Sequence, residues 1–273
     1  MPRMRPSAQR AGPPDTEHGP RSRPALAPIL PDSIRACLFD LDGVLTQTAR
    51  LHAAAWKQMF DAFLLDRSRR TGEPFRAFEL PADYAAYVDG KLRQDGARAF
   101  LASRGIALPE GSPDDPPSGE TVHGLGTRKN DLVLQLMRQR GVDRYEGSVR
   151  FVEAARAAGL RCAVVSASKN CREVLAAAGI EHLFEARIDG LVAERDGLRG
   201  KPAPDMFLAA ARALRVEPAH AAVFEDAVAG VEAGRAGGFG WVVGVDRVGQ
   251  AAALYTHGAN RVVADLSELL EEQ

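Results

Sequence analysis

Two groups of acidic residues, far apart in the sequence, have the types and spacing needed for phosphoryl-transfer chemistry. Asp40 and Asp42 follow one short apolar run, and Glu225 and Asp226 follow another. Both runs are typical of buried parallel strands, and doubly wound sheets bind ligands beyond the carboxyl ends of their strands. The pattern therefore predicts a divalent-cation site at one sheet edge. Because Asp40 and Asp42 point to the same side of an extended chain, one can attack phosphorus while the other moves a proton.

The order of the predicted elements indicates an α/β fold. Apolar runs predict strands at 36–39, 160–165, 183–188, 221–224, 241–245 and 261–263, and helical spacing predicts helices at 170–178, 204–214 and 228–236. Strands that alternate with helices form a parallel sheet covered on both faces. We therefore expect a doubly wound, Rossmann-like core.

A helical insert follows the first acidic motif. No convincing strand occurs between positions 42 and 145, and helical spacing is found at 48–65, 84–104 and 130–139. The expected domains are a core formed by 33–48 and 145–273, and a helical cap formed by 49–144. Inserted after the first strand, this cap would cover the active edge of the sheet.

Composition and charge exclude several classes of protein. Lys+Arg 35 against Asp+Glu 36 leaves the chain nearly neutral, so no nucleic-acid face or acidic-membrane patch is expected. No apolar run approaches the ~20 residues that span a bilayer. The odd number of cysteines, 3, argues against a disulfide framework and favours the cytoplasm. Residues 1–32 are rich in Pro and Arg without apolar periodicity, which predicts a disordered tail.

Four short motifs resemble, in order, those of the haloacid dehalogenase superfamily, and they span nearly the whole chain after the tail. They are Asp40-Leu41-Asp42-Gly43-Val44, Ser166-Ala167-Ser168, Lys201-Pro202-Ala203-Pro204-Asp205 and Glu225-Asp226. The insert after the first motif is similar to the small helical cap of that superfamily.

The first motif would supply the two reacting groups. Asp40 would attack phosphorus and form an aspartyl phosphate, since a carboxylate needs no deprotonation at neutral pH. Asp42 would protonate the leaving oxygen and deprotonate the incoming one. Lys201 would offset the crowded negative charge beside the phosphate.

The remaining motifs would hold the metal and the phosphate. Mg²⁺ suits a site with few carboxylates plus phosphate oxygens, and the resemblance implies Asp40, Glu225, Asp226 and the backbone carbonyl of Asp42 as its ligands. The hydroxyls and amides of Ser166 and Ser168 would cradle a phosphate; the alternative is simple capping of the next helix.

A second set of residues resembles the β-phosphoglucomutase branch of the superfamily. In that branch, the residue matching His52 hydrogen-bonds the acid/base aspartate, and the one matching Arg93 grips the distal phosphate of the substrate. The other residues implied in substrate binding are Thr48, Trp56, Lys129, Asn130, Ala167, Ser168, Lys169 and Asn170. The alternatives are cap packing for Trp56 and solvated surface positions for Arg93 and for Lys169.

The resemblance implies a magnesium-dependent mutase that interconverts β-glucose 1-phosphate and glucose 6-phosphate through β-glucose 1,6-bisphosphate. A mutase needs two phosphate sites at once, and Arg93 with Lys169 would supply the second. A phosphatase of small sugar phosphates that uses the same aspartyl ester is the alternative, and a non-catalytic binding module is a third possibility. Only small-molecule partners and a monomer are expected. The long cap loop at 108–126 is expected to influence which sugar phosphate fits.

Overall fold

The computed structural model describes residues 26–272. Its eight strands are β1 (Leu26–Pro28), β2 (Ala36–Phe39), β3 (Arg161–Val165), β4 (Ala186–Ile188), β5 (Ala221–Glu225), β6 (Trp241–Val245), β7 (Arg261–Val263) and β8 (Leu270–Glu272). Six of them form a parallel sheet in the order β4-β3-β2-β5-β6-β7. Phe39 at the end of β2 lies opposite Phe224 of β5, so the acidic residues that follow both strands meet at the same sheet edge.

Helices cover both faces of this sheet. The α-helices are α1 (Ala49–Thr71), α2 (Arg93–Ser103), α3 (Val122–Arg140), α4 (Glu146–Ala157), α5 (Cys171–Ala177), α6 (Gly190–Asp196), α7 (Asp205–Ala213), α8 (Val228–Ala236) and α9 (Ala251–His257). Strand residues alternate between faces: Phe39 packs in the cluster that includes Phe151 of α4, whereas Leu38 packs in the cluster that includes Phe207 of α7. The predicted doubly wound α/β core is confirmed.

A third hydrophobic cluster lies entirely within residues 56–125. Aromatic rings form its centre, with the centroids of Phe60 and Phe100 4.2 Å apart. This separate cluster supports a helical cap at 49–144, which we retain as a proposed domain. The far end of α3 also contacts the core, because Met137 packs against the hydrophobic cluster that includes Phe151 of α4.

The cap helices differ from the predicted ones in their ends. The predicted helix 84–104 is interrupted, because a π-helical turn at Tyr84–Val88 is followed by Gly90 in a left-handed conformation, with φ 68, before α2 begins. Helix α3 begins at Val122, well before the predicted start at position 130. Thr121 caps this helix, because its side chain accepts a hydrogen bond from the amide of Gly124. Helix α1 continues beyond position 65 to Gly72, a left-handed C-cap.

Several described elements were not predicted. They include α4, α6, α9 and an antiparallel pair formed by β1 and β8. Strand β1 lies within the predicted disordered tail, so that prediction is wrong for Leu26–Pro28, which pairs with Leu270–Glu272. The remainder of the predicted tail, residues 1–25, lies outside the described residues. The cysteines are free and buried. None of the described helices is long and apolar enough to cross a membrane.

Candidate active site

Three carboxylates meet at the carboxyl edge of the sheet. Asp40, Glu225 and Asp226 are buried, and each offers an oxygen within 4.8 Å of the others. Two glycines make room for them. A Cβ added at Gly43 would lie 1.8 Å from Asp226 Oδ2, and one added at Gly230 would lie 1.8 Å from Glu225 Oε1. Any side chain at either glycine would displace a carboxylate of this group.

Lys201 lies between two of these carboxylates. Its Nζ is 2.5 Å from Asp40 Oδ1 and also donates to Glu225 Oε1. Burial opposes the charge of the Lys201 ammonium, but the negative charges of Asp40 and Glu225 outweigh burial and raise its pKa. Lys201 is therefore held in its charged form next to Asp40, as a residue that neutralises charge at a phosphate site would be.

The carboxylate group fits a divalent cation. Burial raises the pKa of Asp40 and of Asp226, and neighbouring carboxylates add to the effect. The single ammonium of Lys201 contacts two of the three acidic groups, Asp40 and Glu225, so negative charge remains in excess. A hard cation with oxygen ligands would balance that charge.

The carboxylate of Asp42 lies outside this group and has its own set of contacts. Thr48 Oγ1 donates to Asp42 Oδ1, and Ser166 Oγ donates to Asp42 Oδ2 at 3.3 Å. His52 Nε2 lies 3.6 Å from Asp42 Oδ1. These contacts orient Asp42 separately from Asp40, which suits a group that moves a proton to and from a substrate oxygen.

His52 also contacts the buried Lys129. Lys129 Nζ lies 2.9 Å from His52 Nδ1 and 4.9 Å from the ring centroid of Trp56. Burial, together with the charge of Lys129, lowers the pKa of His52 to about 4. The imidazole is therefore neutral near pH 7, so its Nδ1 accepts from Lys129 and its Nε2–H faces Asp42.

We expect the substitution Lys129→Met to stabilise the fold near neutral pH. Burial, and then the charge of Arg93, lowers the pKa of Lys129 from 10.5 to about 7. Between these values the unfolded chain holds a proton that the folded chain does not, so the wild type loses stability as pH falls through this range. The gain from Lys129→Met should reach a few kcal/mol near pH 7 and shrink towards pH ~10.

Urea denaturation of the wild type and of Lys129→Met, near pH 7 and at pH ~10, measures this gain in the free energy of unfolding. Lys57→Met is the control, since Lys57 is 40% exposed on the same domain. A gain that is equal at the two pH values, or destabilisation that is largest near pH 7, would contradict the interpretation.

Asn130 joins the cap to the core next to the predicted distal-phosphate site. Its Oδ1 accepts from Arg93 Nη2 at 2.8 Å and from Asn170 Nδ2 at 2.9 Å. Burial lowers the pKa of Arg93 to about 10, which leaves the guanidinium charged at neutral pH. Lys169 Nζ instead pairs with Glu194 Oε2 at 2.7 Å. Arg93 and Lys169 both line one groove at the surface between cap and core.

A small cavity between cap and core brings most of the predicted residues together. Those that line it are Asp40, Asp42, His52, Trp56, Arg93, Lys129, Ala167, Ser168, Asn170, Glu225 and Asp226. Those that do not line it are Thr48, Asn130, Ser166, Lys169 and Lys201. The cavity volume is about 50 Å³, far below the ~300–1,000 Å³ of typical ligand pockets. A sugar phosphate can therefore enter only if the cap moves away from the core.

The long cap loop does not contribute to this cavity. None of residues 108–126 lines it. The loop contacts other cap residues instead: Glu110 pairs with Arg98, and Arg128 donates to the carbonyl of Pro117. The end of the segment lies closer to the proposed substrate site: His123 lines the adjoining groove together with Arg93, and a Cβ added at Gly126 would lie 3.2 Å from Arg93 Cδ. The influence of the segment on which sugar phosphate fits stays a prediction.

Sequence reasoning assigned no role to Tyr84 and Asp89, which also line the cavity. Burial, and then the charge of Glu225, raises the pKa of Asp89 to about 7. Asp89 immediately precedes Gly90, whose added Cβ would lie 3.1 Å from Ala227 Cβ. Asp89 lies four positions before Arg93 in the sequence, which was the available signal, but its position near the acidic group depends on how cap and core meet.

Comparison with known proteins agrees with this geometry. The family model of haloacid dehalogenase-like hydrolases matches residues 34–238. The chain is 57% identical over 244 residues to a β-phosphoglucomutase of Mycobacterium tuberculosis (strain CDC 1551 / Oshkosh), covering 88% of this chain and 93% of the relative. It is 30% identical over 240 residues to the β-phosphoglucomutase of Bacillus subtilis (strain 168), covering 88% and 93%.

A solved structure shares the fold. The β-phosphoglucomutase of Clostridium difficile superposes with a TM-score of 0.67 at 25% sequence identity, covering 86% of this chain and 93% of that one. A match over 86% of the chain includes residues of both the sheet and the helical insert, and each of the two sequence relatives covers 88% of the chain. The chain belongs to the haloacid dehalogenase-like hydrolases, in the β-phosphoglucomutase branch of that superfamily.

Proposed function

We propose that this protein is a magnesium-dependent β-phosphoglucomutase, which interconverts β-glucose 1-phosphate and glucose 6-phosphate through β-glucose 1,6-bisphosphate. The observation that carries the proposal is a small cavity between cap and core that is lined both by the carboxylates of Asp40 and Asp42 and by the cation of Arg93. A substrate with two phosphates needs both kinds of group. The relatives named β-phosphoglucomutase support the same conclusion.

Asp40 is the nucleophile in this proposal. Its carboxylate attacks phosphorus and forms an aspartyl phosphate, and Lys201, 2.5 Å from Asp40 Oδ1, offsets the charge of the transferring group. Phosphoryl transfer depends mainly on positioning and charge neutralisation, and a buried ammonium provides both. Asp42 protonates the leaving oxygen and deprotonates the hydroxyl that attacks next. Thr48, Ser166 and His52 orient Asp42 for these proton transfers.

Asp40, Glu225 and Asp226 would hold Mg²⁺, since their oxygens lie within 4.8 Å of one another. The carboxylate of Asp42 contacts Thr48 and Ser166, so Asp42 would join the site through its backbone carbonyl. When bound there, such an ion would supply electrostatic stabilisation of the transferring phosphoryl group. The same residues could serve a sugar-phosphate phosphatase, in which water takes the place of the sugar hydroxyl.

Arg93→Ala distinguishes the two reactions. In a mutase, Arg93 holds the phosphate that does not react, and binding energy at this remote group orients the reacting end. Arg93→Ala should therefore lower kcat/KM for β-glucose 1-phosphate by about 10²–10³-fold, while hydrolysis of acetyl phosphate changes little. Arg93→Lys should restore only part of the loss, because a point charge does not reproduce the bidentate guanidinium.

Both reactions are measured with the same enzyme preparations. Arg138→Ala is the matched control, since Arg138 is an exposed arginine of the cap helix α3. Equal losses on β-glucose 1-phosphate and on acetyl phosphate would show that Arg93 stabilises the cap in general and does not grip a second phosphate.

A further inference from the structure

A carboxylate, that of Glu194, lies close to the cations proposed to bind the distal phosphate, Arg93 and Lys169. Glu194 Oε2 accepts from Lys169 Nζ at 2.7 Å, and Glu194 is the acidic residue with the strongest electrostatic effect on Arg93. All three side chains line the groove of about 620 Å³ that adjoins the central cavity. A negative charge at this place is unexpected in a site for a phosphate, because it competes with the ligand for the same cations.

The start of helix α6 places the Glu194 carboxylate next to Lys169. Helix α6 begins at Gly190, where an added Cβ would lie 2.8 Å from the carbonyl of Ala167 and 3.0 Å from Lys169 Cγ. The absence of a side chain lets α6 start directly against the turn that carries Lys169. Asp189 caps the helix by accepting from the amides of Leu191 and Val192. Glu194, one turn further on, therefore faces Lys169.

We infer that Glu194 is an internal counter-ion, which occupies the distal cations until the non-reacting phosphate of the substrate displaces it. The inference rests on the proposed function and deepens it. Without Glu194, Lys169 would lose the carboxylate with which it pairs, in a groove that the cation of Arg93 also lines. A phosphate dianion carries more charge than a carboxylate and displaces it, but the competition weakens the grip on phosphate.

Weaker binding of phosphate at the distal cations suits a reaction in which the bisphosphate intermediate must exchange its two phosphates between the distal and the reacting positions. The bisphosphate has to leave the distal cations, turn over and bind them through its other phosphate. Cations without a counter-ion would hold each phosphate longer and delay this exchange. Glu194 therefore sets both the affinity of the distal site and the rate at which it releases its ligand.

Glu194→Gln tests the inference by removing the charge and keeping the shape. The dissociation constant of glucose 6-phosphate, measured by isothermal titration calorimetry with Mg²⁺ present, should fall by about tenfold. The salt dependence of binding should become steeper, because an unopposed cation is left at the site. Turnover at saturating substrate should fall, and the midpoint of thermal unfolding should stay unchanged, because exposed ion pairs contribute little to stability. Asp196→Asn is the matched control, since Asp196 lies on the same helix and pairs with Arg195.

Unchanged or weaker binding of glucose 6-phosphate by Glu194→Gln would overturn the inference, as would a wild type that does not bind this ligand. Failure of the proposed reaction is a separate observation. It would appear as a wild type that forms no glucose 6-phosphate from β-glucose 1-phosphate, whereas the tighter binding by Glu194→Gln would still be measured.

Discussion

Asp40→Asn should abolish the conversion of β-glucose 1-phosphate, with kcat lowered by about 10⁵–10⁶-fold, as for other covalent catalysts that lose their nucleophile. An amide cannot attack phosphorus, and it also removes one of the two carboxylates that contact Lys201. The loss should persist at saturating Mg²⁺ and saturating substrate, because it lies in the chemical step. The affinity for Mg²⁺ should fall as well, since Asp40 is one of the three carboxylates proposed to hold the ion.

Rate measurements at saturating substrate check this expectation, and thermal unfolding of the variant shows whether the fold is intact. Incubation with β-glucose 1,6-bisphosphate should label the wild type with one acid-stable, hydroxylamine-sensitive phosphoryl group and leave Asp40→Asn unlabelled. Near-normal turnover by the variant would remove Asp40 from the mechanism.

Asp42→Asn should lower kcat by about 10²–10⁴-fold, the range expected when a general acid and base is lost. Its affinity for Mg²⁺ should stay close to that of the wild type, because the Asp42 carboxylate lies outside the group formed by Asp40, Glu225 and Asp226. Asparagine can still accept from Thr48 through Oδ1, and its Nδ2 can donate to the Ser166 hydroxyl, so the local structure should be retained. A Mg²⁺ titration of the rate separates the two effects. A collapse of Mg²⁺ affinity with an unchanged rate at saturating Mg²⁺ would reverse the assigned roles.

The central strands β2, β3, β5 and β6 were predictable because each is a short, largely apolar run in which nearly every residue is buried. The edge strand β7 is less buried, since Arg261 is exposed. The predicted strands at 241–245 and 261–263 coincide with β6 and β7, and the run at 36–39 coincides with β2. At the carboxyl end of β2 the apolar run stops at the proposed nucleophile, Asp40, so the same pattern predicted the strand end and the candidate site.

The cap was predicted less well because its helix ends depend on local backbone geometry. A π-helical turn and the left-handed Gly90 break the apolar stripe at 84–104 without any proline to signal it. Helix α4 was missed although it is strongly amphipathic: Phe151 and Val152 are wholly buried under the sheet. Pairing of β1 with β8 joins the two ends of the described chain, a contact that no local pattern can reveal.

The residues of the site were predictable from motifs, but their contacts were not. Ser166 and Asp42 are 124 positions apart, and Lys201 and Asp40 are 161 apart. The sequence offered Lys169 as a free cation for phosphate, whereas the fold pairs it with Glu194. Thr48 was predicted to bind substrate, but its hydroxyl donates to Asp42. Such differences arise because the motifs identify residue types, while the packing of α6 and the cap determines which partners they meet.

The partition of product between sugar phosphate and free phosphate tests the central claim most directly. Purified protein is mixed with Mg²⁺, β-glucose 1-phosphate and a catalytic amount of β-glucose 1,6-bisphosphate, and glucose 6-phosphate and inorganic phosphate are followed separately. A mutase forms one glucose 6-phosphate for each β-glucose 1-phosphate consumed, with little free phosphate. Release of free phosphate as fast as β-glucose 1-phosphate disappears, without glucose 6-phosphate, would contradict the proposed function.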